Sequence, residues 1–358
     1  MVRPTYATVD LGAIKRNVGA IAAVIAPSEV CAVVKADGYG HGDAPVAMAA
    51  LEAGATRLAV ALVEEGIRLR EAGIDGPILV LSQPTPDAAP EFGRWELIPT
   101  VYSEEFAESL ASEPGFTGGV HLKIDTGMHR VGVAPAAWEG FLARVRALGV
   151  EIEGVFTHFA VADEDQDFTR AQIEMFDTYV DFDVPLTHMA NTAGALLFPQ
   201  ARRDLSRIGL GIYGLHPCDA TRPIVDLETA MSISTRISHV QRLPAGTRPS
   251  YGRRIPLDTD ANVVTIPIGY ADGFWRNLSE GGQVLIGGER FPVAGTVTMD
   301  QTMVAVGDAD VAIGDEVVLI GDQGQASITA DEWAESLGTI SYEVVCSIGP
   351  RVPRRYLS

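Results

Sequence analysis

Short apolar runs alternate with longer amphipathic stretches through the first two thirds of the chain. The runs predict strands at residues 30–35, 57–61, 78–81, 96–101, 120–125, 154–158, 186–189 and 204–208. Helical spacing of apolar positions predicts helices between them, at residues 44–53, 63–72, 104–112, 136–148 and 169–182. Strands that alternate with helices pair in parallel, so eight such units favour a closed (β/α)8 barrel of the TIM type, with an open doubly wound sheet as the alternative.

The pattern changes after residue 226. Apolar runs predict strands at residues 229–243, 262–268, 283–286, 290–304 and 316–320, separated by Gly-Gly, Asp-Gly and Pro-Ala-Gly turns. Only residues 330–337 have a helical pattern in this part of the chain. We therefore predict two domains, a barrel over residues 1–226 and a mostly β, barrel-like domain over residues 227–358. The first ten or so residues are candidates to pack with the second domain.

Composition narrows the class of partner. The chain of 358 residues has 27 Lys and Arg against 47 Asp and Glu, a net charge of −20, which argues against nucleic acid because phosphates would be repelled. Its three cysteines form no CxxC pair, which fits a reducing cytosol. No apolar run is long enough for a membrane span. We predict a cytoplasmic protein that binds a small molecule.

Lysine occurs only at Lys15, Lys35 and Lys123. Codon usage alone can favour arginine, but arginine cannot replace lysine as a Schiff base or general base. Lys35 follows an apolar strand, and a barrel carries its chemistry at the carboxyl ends of its strands. Its amine is therefore a candidate nucleophile or base, with a strand-capping lysine as the alternative.

Other strand ends also carry polar residues. His121, Lys123 and Asp125 alternate along one strand and share a face, either as a site or as a buried ion-pair cluster. His158 ends the next strand, where a structural histidine is the alternative. We predict no metal site, because the histidines lack HxH or HExxH spacing.

Small residues and amides follow the last two barrel strands, in Asn191-Thr192-Ala193-Gly194 and Arg207-Ile208-Gly209-Leu210-Gly211. Such loops form the usual phosphate cradle of a barrel. Together with Lys35, they suggest a phosphorylated ligand held by an amine on its other side. Tyr251, Tyr270 and the Met299-Asp300 pair in the second domain are each compatible with ordinary turns.

Seven motifs in order resemble those of alanine racemase, a family of pyridoxal 5′-phosphate (PLP) enzymes with a barrel and a β domain. They are Val33-Val34-Lys35-Ala36 with Tyr39-Gly40-His41-Gly42, Lys123-x-Asp125-Thr126-Gly127-Met128-x-Arg130, Thr157-His158-Phe159-Ala160, Arg207-x-Gly209-x-x-x-Tyr213-Gly214, Ser250-Tyr251-Gly252, Gly269-Tyr270-Ala271-Asp272-Gly273 and Met299-Asp300-Gln301. The resemblance runs from residue 6 to residue 353.

The resemblance implies a two-base reaction that interconverts L- and D-alanine and supplies D-alanine for peptidoglycan. Lys35 would hold PLP covalently and act as the base for D-alanine. Tyr251 of the partner subunit in a homodimer would act as the base for L-alanine. Two bases on opposite faces of a planar carbanion give racemisation.

The resemblance also implies the other site residues. Cofactor contacts would come from Tyr39, His158, Asn191, Thr192, Arg207, Gly209 and Leu210, with Arg207 at the pyridine nitrogen. Arg130 would contact the PLP phenolic oxygen and the substrate carboxylate, and the backbone of Met299 of the partner subunit would add a donor. A carbamylated Lys123 would orient Arg130. Tyr270 and Asp300 would support the site.

Two positions depart from many relatives. Pro350 stands where a gate and phosphate-binding tyrosine is frequent, and Thr296 follows Gly295 where an arginine is frequent. Both departures concern gating and substrate breadth. A serine or broad-specificity racemase of the same fold therefore remains an alternative, followed by a PLP-dependent decarboxylase and a non-catalytic PLP carrier.

Overall fold

The computed structural model describes residues 3–180 and 183–358. The chain divides into two compact units, one holding the segment up to Leu11, Tyr39–His41 and Thr229–Ser358, the other Gly12–Gly38 and Gly42–Glu228. In chain order the strands are β1 (Tyr6–Asp10), β2 (Glu29–Val33), β3 (Arg57–Val60), β4 (Ile78–Val80), β5 (Ile98–Val101), β6 (Val120–Lys123), β7 (Ile152–Phe156), β8 (Leu186–His188), β9 (Leu205–Ile208), β10 (Met231–Arg236), β11 (His239–Leu243), β12 (Ala261–Ile266), β13 (Gln283–Ile286), β14 (Glu289–Pro292), β15 (Thr302–Gly307), β16 (Glu316–Gln323), β17 (Ala326–Ile328) and β18 (Arg354–Leu357).

The helical segments are α1 (Leu11–Ile25), α2 (Lys35–Tyr39), α3 (Asp43–Glu52), α4 (Val63–Glu71), α5 (Ala89–Arg94), α6 (Glu104–Ser112), α7 (Trp138–Ala147), α8 (Gln166–Tyr179), α9 (Thr192–Leu197), α10 (Ala330–Leu337) and α11 (Ser341–Cys346). Side-chain caps begin several of them. Ser103 accepts a hydrogen bond from the Phe106 amide at the start of α6, and Asp165 accepts one from the Phe168 amide at the start of α8. The predicted helix over residues 169–182 is α8, displaced toward the amino end; residues 181–182 lie outside the described residues.

The larger unit is the predicted (β/α)8 barrel. Its eight strands pair in parallel in the order β8-β7-β6-β5-β4-β3-β2-β9. The Arg207 amide in β9 donates to the Ala190 carbonyl just beyond β8, at 3.0 Å, and so brings the first and last strands of that order together. Strands β4, β6 and β9 are buried along their whole length, as parallel strands covered by helices on one face and packed inward on the other must be.

The smaller unit contains two sheets. One has the order β14-β13-β16-β10-β1-β18, with β17 on β16, and the other has the order β11-β12-β15. Strand β1, from the start of the chain, pairs antiparallel with β10 and parallel with β18. Leu257, Ala261, Val263 and Ala294 form a buried apolar cluster beside the smaller sheet.

Three expectations for this unit are wrong. The run at residues 229–243 is two strands, because the chain leaves the larger sheet after β10 and enters the smaller one at β11. The run at residues 290–304 is also divided, between β14 and β15, around a turn in which the Thr298 hydroxyl bonds the Gln301 carbonyl. A second helix, α11, accompanies α10. Its β-branched Val344 and Val345 weaken the helical signal of the sequence.

Candidate active site

Lys35 begins a left-handed turn at the mouth of the barrel. The predicted strand over residues 30–35 ends earlier, at Val33, and the partly buried Lys35 is followed by Ala36, Asp37 and Gly38 with φ of 53°, 54° and 59°. Left-handed backbone costs about 1–2 kcal/mol for each residue that carries a Cβ. Strain of this kind persists where surrounding structure enforces it, and it concentrates at functional sites.

Glu65 supplies part of that enforcement. The Ala36 amide donates to one oxygen of its buried carboxylate at 2.7 Å, and the Ala61 amide donates to the other at 2.7 Å. Sequence reasoning missed this residue, which reads as an ordinary acidic residue in the first turn of α4. Its position four residues after a strand end is the only signal that could have drawn attention to it.

Four cationic side chains lie within electrostatic reach of one another in the barrel. Burial, then the charges of Arg207, Arg130 and Lys35, lower the pKa of Lys123 to about 7. Lys123 Nζ lies 5.3 Å from the centroid of the Phe156 ring, and the Arg207 guanidinium carbon lies 5.0 Å from the same centroid. These are cation–π distances.

Arg207 is almost fully buried, at 3% exposure. Its Nη2 donates to the carbonyls of Thr157 and Met189 at 2.8 and 3.0 Å and lies 3.1 Å from His158 Nδ1, while Nη1 lies 2.7 Å from His188 Nδ1. Its Nε makes no hydrogen bond among the described residues. Burial lowers the pKa of Arg207 to about 10, so it stays charged at neutral pH. The guanidinium is held on one side by neutral partners and keeps Nε–H as a donor for a ligand.

The loops after β8 and β9 are joined by hydrogen bonds. Thr192 Oγ1 accepts from the amides of Gly209 and Gly211 at 3.2 and 3.5 Å. A Cβ on Gly211 would lie 2.9 Å from the Thr192 methyl and 2.8 Å from Ile21 Cδ1, so only glycine allows this close approach. Asn191 caps α9 by accepting from the Gly194 amide at 2.8 Å.

Buried histidines give the protein an acid-sensitive core. His121 and His188 are fully buried, and burial, followed for His188 by the Arg207 charge, lowers the pKa of each below 6.5. Because the folded state keeps both rings neutral, the unfolded chain binds more protons once the pH falls below about 6.5. Stability is thus full above that pH and is lost below it.

Burial also lowers the pKa of His158 well below 6.5, so with three such histidines we expect the free energy of unfolding in urea to fall by up to about 4 kcal/mol between about pH 7.5 and about pH 5.5. His239→Gln, at an exposed position in β11, is the control and should show the same loss. Equal stability at both pH values would contradict the assignment of these buried rings.

The smaller unit holds the other predicted residues. Tyr251 is 73% exposed, yet its backbone is fixed, because the Thr296 hydroxyl donates to the Tyr251 carbonyl at 2.8 Å and the Ser250 hydroxyl donates to the Thr296 carbonyl at 2.5 Å. The departure at Thr296 therefore acts on the loop that presents Tyr251. The ring stands out from this unit on an anchored backbone.

A cavity of about 810 Å³ lies within the smaller unit beside Tyr251. Its lining includes Tyr270, Met299 and Asp300. The amides of Tyr270 and Ala271 donate to the carbonyls of Thr298 and Met299 at 3.0 and 3.1 Å, which ties the two loops together.

Ion pairs also anchor the loops that carry Tyr270 and Asp300. Asp272 is fully buried and accepts both Nη atoms of Arg3, while Arg351 Nε lies 3.2 Å from it. Arg351 also donates to Asp300 at 2.7 Å. The loop that carries Tyr270 is thus anchored through a buried carboxylate that serves two arginines.

Tyr39 is also in this unit. Its ring centroid lies 6.1 Å from that of Tyr342, and burial raises the pKa of its hydroxyl. The predicted residues therefore form two sets. Lys35, Lys123, Arg130, His158, Asn191, Thr192, Arg207, Gly209 and Leu210 belong to the barrel unit, and Tyr39, Tyr251, Tyr270, Met299 and Asp300 belong to the smaller unit.

Two absences concern residues 3–180 and 183–358. No group of three or more His, Cys, Asp or Glu is placed to hold a metal ion. None of the described helices is both long enough and apolar enough to span a membrane.

The larger unit is a parallel (β/α)8 barrel that carries Lys35 and the loops after β8 and β9, and the smaller unit is mostly β. The family models "Alanine racemase, N-terminal domain" and "Alanine racemase, C-terminal domain" match residues 9–217 and 230–356. The chain belongs to the alanine racemase family.

Individual relatives agree over nearly the whole length. An alanine racemase from Symbiobacterium thermophilum is 45% identical over 99% of this chain and 97% of its own. The crystal structure of an alanine racemase from Bacillus anthracis with bound L-Ala-P is 38% identical, with a TM-score of 0.93 over 100% of this chain and 96% of its own. A histidine racemase from Leuconostoc mesenteroides subsp. sake is 29% identical, with a TM-score of 0.90 over 100% and 99%.

Proposed function

We propose that the chain racemises alanine with PLP as its cofactor, by two bases, in a cytoplasmic homodimer that supplies D-alanine for peptidoglycan. The observation that carries the proposal is the strained turn that begins with Lys35 beside the loop cradle of Thr192 and Gly209. An amine at one strand end and tight glycine-containing loops at two others suit an aldehyde that bears a phosphate. PLP, when bound, supplies an electron sink for loss of the alanine Cα proton.

The two bases take and return one proton. Lys35 Nζ removes the Cα proton of D-alanine, and Tyr251 Oη removes the Cα proton of L-alanine from the opposite face. Whichever base is not used for removal returns a proton to its own face, so the configuration inverts. The exposed Tyr251 ring on its anchored backbone fits this task, because it can enter a second molecule's site without reorganising its loop.

Arg207 sets the electronic character of the site. We assign its Nε–H as the donor to the pyridine nitrogen of the cofactor. A charged guanidinium has donors only and no proton to transfer at neutral pH. Arg207 would therefore leave that nitrogen unprotonated when the cofactor is bound, which would limit delocalisation into the ring and side reactions such as transamination. His158 lies 3.1 Å from Arg207 Nη2 and would pack beside the cofactor ring.

The remaining predicted residues are assigned either to the cofactor or to the substrate. Tyr39, Asn191, Thr192, Gly209 and Leu210 hold the cofactor, with Asn191 acting through the cap of α9. Arg130 binds the substrate carboxylate together with the backbone of Met299 of the partner subunit, and Tyr270 and Asp300, which line the same cavity as Met299, support that loop.

Lys123 is expected to carry a carbamate. With its pKa lowered to about 7, about half of the amine is neutral at pH 7 and able to attack carbon dioxide. The N–C bond forms as one N–H proton leaves, and the product is an anion that pairs with Arg130 instead of repelling it. Extra density on Lys123 in crystals grown with bicarbonate would show it.

Lys123→Ala should lose activity that chloride or acetate partly restores, whereas Lys15→Ala, at an exposed ion pair with Glu52, should lose none. A plain ammonium group at high resolution with bicarbonate present would contradict the carbamate.

Substrate breadth tests the function itself. Racemisation measured from the L-enantiomers of alanine, serine and histidine should be fastest for alanine. Serine or histidine turning over faster would favour the broad-specificity alternative. The histidine racemase has a similar fold, so this fold accommodates a substrate other than alanine. Cofactor colour with no racemisation of any of them would favour the carrier.

A further inference from the structure

A chain of buried polar side chains crosses the barrel interior behind Arg207. His188 on β8 lies between Arg207 on β9 and His121 on β6, with Nδ1 2.7 Å from Arg207 Nη1 and Nε2 2.7 Å from His121 Nδ1. His121 Nε2 lies 3.9 Å from Glu153 Oε1 on β7, and that oxygen lies 2.6 Å from Arg57 Nη1. This series of buried side chains therefore joins the Glu153–Arg57 pair, near the amino ends of the strands, to the Arg207 guanidinium, near their carboxyl ends.

The donor direction along this chain is fixed by its chemistry. Arginine has only donors, so His188 Nδ1 accepts and its proton resides on Nε2. That proton is donated to His121 Nδ1, so the His121 proton also resides on Nε2, facing Glu153. Both rings are neutral at neutral pH, because burial lowers the pKa of each.

Packing holds both rings in the orientation that this direction requires. The His188 ring stacks on Phe156 with centroids 4.6 Å apart and planes 7° from parallel. A Cβ on Gly154 would lie 2.7 Å from His121 Nδ1 and Cε1, so glycine at this point of β7 makes room for the ring. Neither ring can turn over without displacing these neighbours.

His121, the last ring of this hydrogen-bonded series, faces Glu153. Within the described part of the chain, the buried His121 Nε2 has no hydrogen-bond partner, and a buried N–H without one is costly. Glu153 Oε1 at 3.9 Å is too far for a direct hydrogen bond but is the carboxylate that attracts this N–H. A tautomer with the proton on Nδ1 would instead set two N–H groups against each other between the rings.

We propose that Glu153 and His121 are positioning residues for Arg207. The Glu153 carboxylate orders two neutral imidazoles, which fix Nη1 of Arg207 and thereby the direction in which Nε–H is presented to the ligand. This inference rests on the proposed contact of Arg207 with the cofactor, because that contact makes the orientation matter for the reaction. Neither residue touches substrate or cofactor.

The first test reads the ring tautomers of the unaltered protein and needs variants only to assign the signals. In protein labelled with ¹⁵N at the histidine rings, the shifts of His121 and His188 near pH 7 should show Nε2 protonated and Nδ1 unprotonated. Loss of the corresponding signals in His121→Gln and His188→Gln assigns them. A proton on Nδ1 of either ring overturns the proposal, whatever the fate of the proposed cofactor, whose attachment is tested separately at Lys35.

The second test separates positioning from simple support. Glu153→Gln keeps the size of the side chain and removes its charge, so kcat for alanine should fall about 10-fold while KM stays within about 2-fold. The matched control is Glu108→Gln, which removes an exposed carboxylate paired with Arg144 on the barrel surface and should leave both constants unchanged.

An unchanged kcat in Glu153→Gln overturns the proposal. So does a fall in kcat that comes with an equal rise in KM and a lower melting temperature, because those changes together indicate structural support only. Should Glu153→Gln not fold, the ring tautomers of the unaltered protein still decide.

Discussion

Lys35→Arg is expected to reduce racemisation by about 1,000-fold or more and to abolish the reducible cofactor adduct. The guanidinium keeps the positive charge but has no nucleophilic amine, so neither covalent attachment nor proton removal at this position survives. In the unaltered protein, borohydride reduction followed by peptide mapping should place the label on Lys35. The absorbance of the cofactor in the purified protein measures its attachment to the protein independently.

The matched control is Lys15→Arg, since Lys15 is an exposed lysine paired with Glu52. It should keep both activity and label. A label found on Lys15 or Lys123 would contradict the assignment of Lys35, and so would a Lys35→Arg protein that racemises alanine at the normal rate.

Mixed dimers are expected to recover activity that neither parent has. Homodimers of Lys35→Ala and of Tyr251→Ala should both be nearly inactive. If Tyr251 serves the partner's site, a mixed dimer has one site with both lesions and one with none, so about half of its sites work. If Tyr251 serves its own chain, every site keeps one lesion and mixing restores nothing.

Native mass spectrometry establishes that mixed dimers have formed, and the alanine assay is then read on that mixture. The matched control mixes Lys35→Ala with Lys35→Arg, where both lesions fall at one position and no arrangement yields an intact site. Rescue in this control, or no rescue in the test mixture, would refute the shared site.

The barrel was predictable because its strands are buried on both faces and appear in the sequence as separate apolar runs. The missed helix α1 has the same kind of signal, with Ile14, Val18, Ile21 and Ile25 buried along one side. Its second half is apolar on all sides, so the amphipathic contrast that marks the other helices is weak there.

The finer features of the site depend on contacts between distant residues. Nothing local in Ala36 or Asp37 predicts a positive φ, because the Glu65 carboxylate that receives the Ala36 amide comes from another βα unit. Likewise, the sequence places His121 on an inward face but does not show that His188 is its partner, since β6 and β8 are separated by β7. Motif resemblance supplied residue types in order, while hydrogen-bond direction required the fold.

The place of β1 in the sheet of the smaller unit has a consequence for synthesis on the ribosome. Val9 pairs with Met231, and Ala7 pairs with Arg354, so β1, which is made before the barrel, lies between two strands that are made after it. At usual translation rates it waits on the order of 10–40 s for β10, with its edges unpaired while the whole barrel is translated. The barrel can complete its own strand pairing before release, whereas the larger sheet of the smaller unit can close only after the last strand, β18, has left the ribosome.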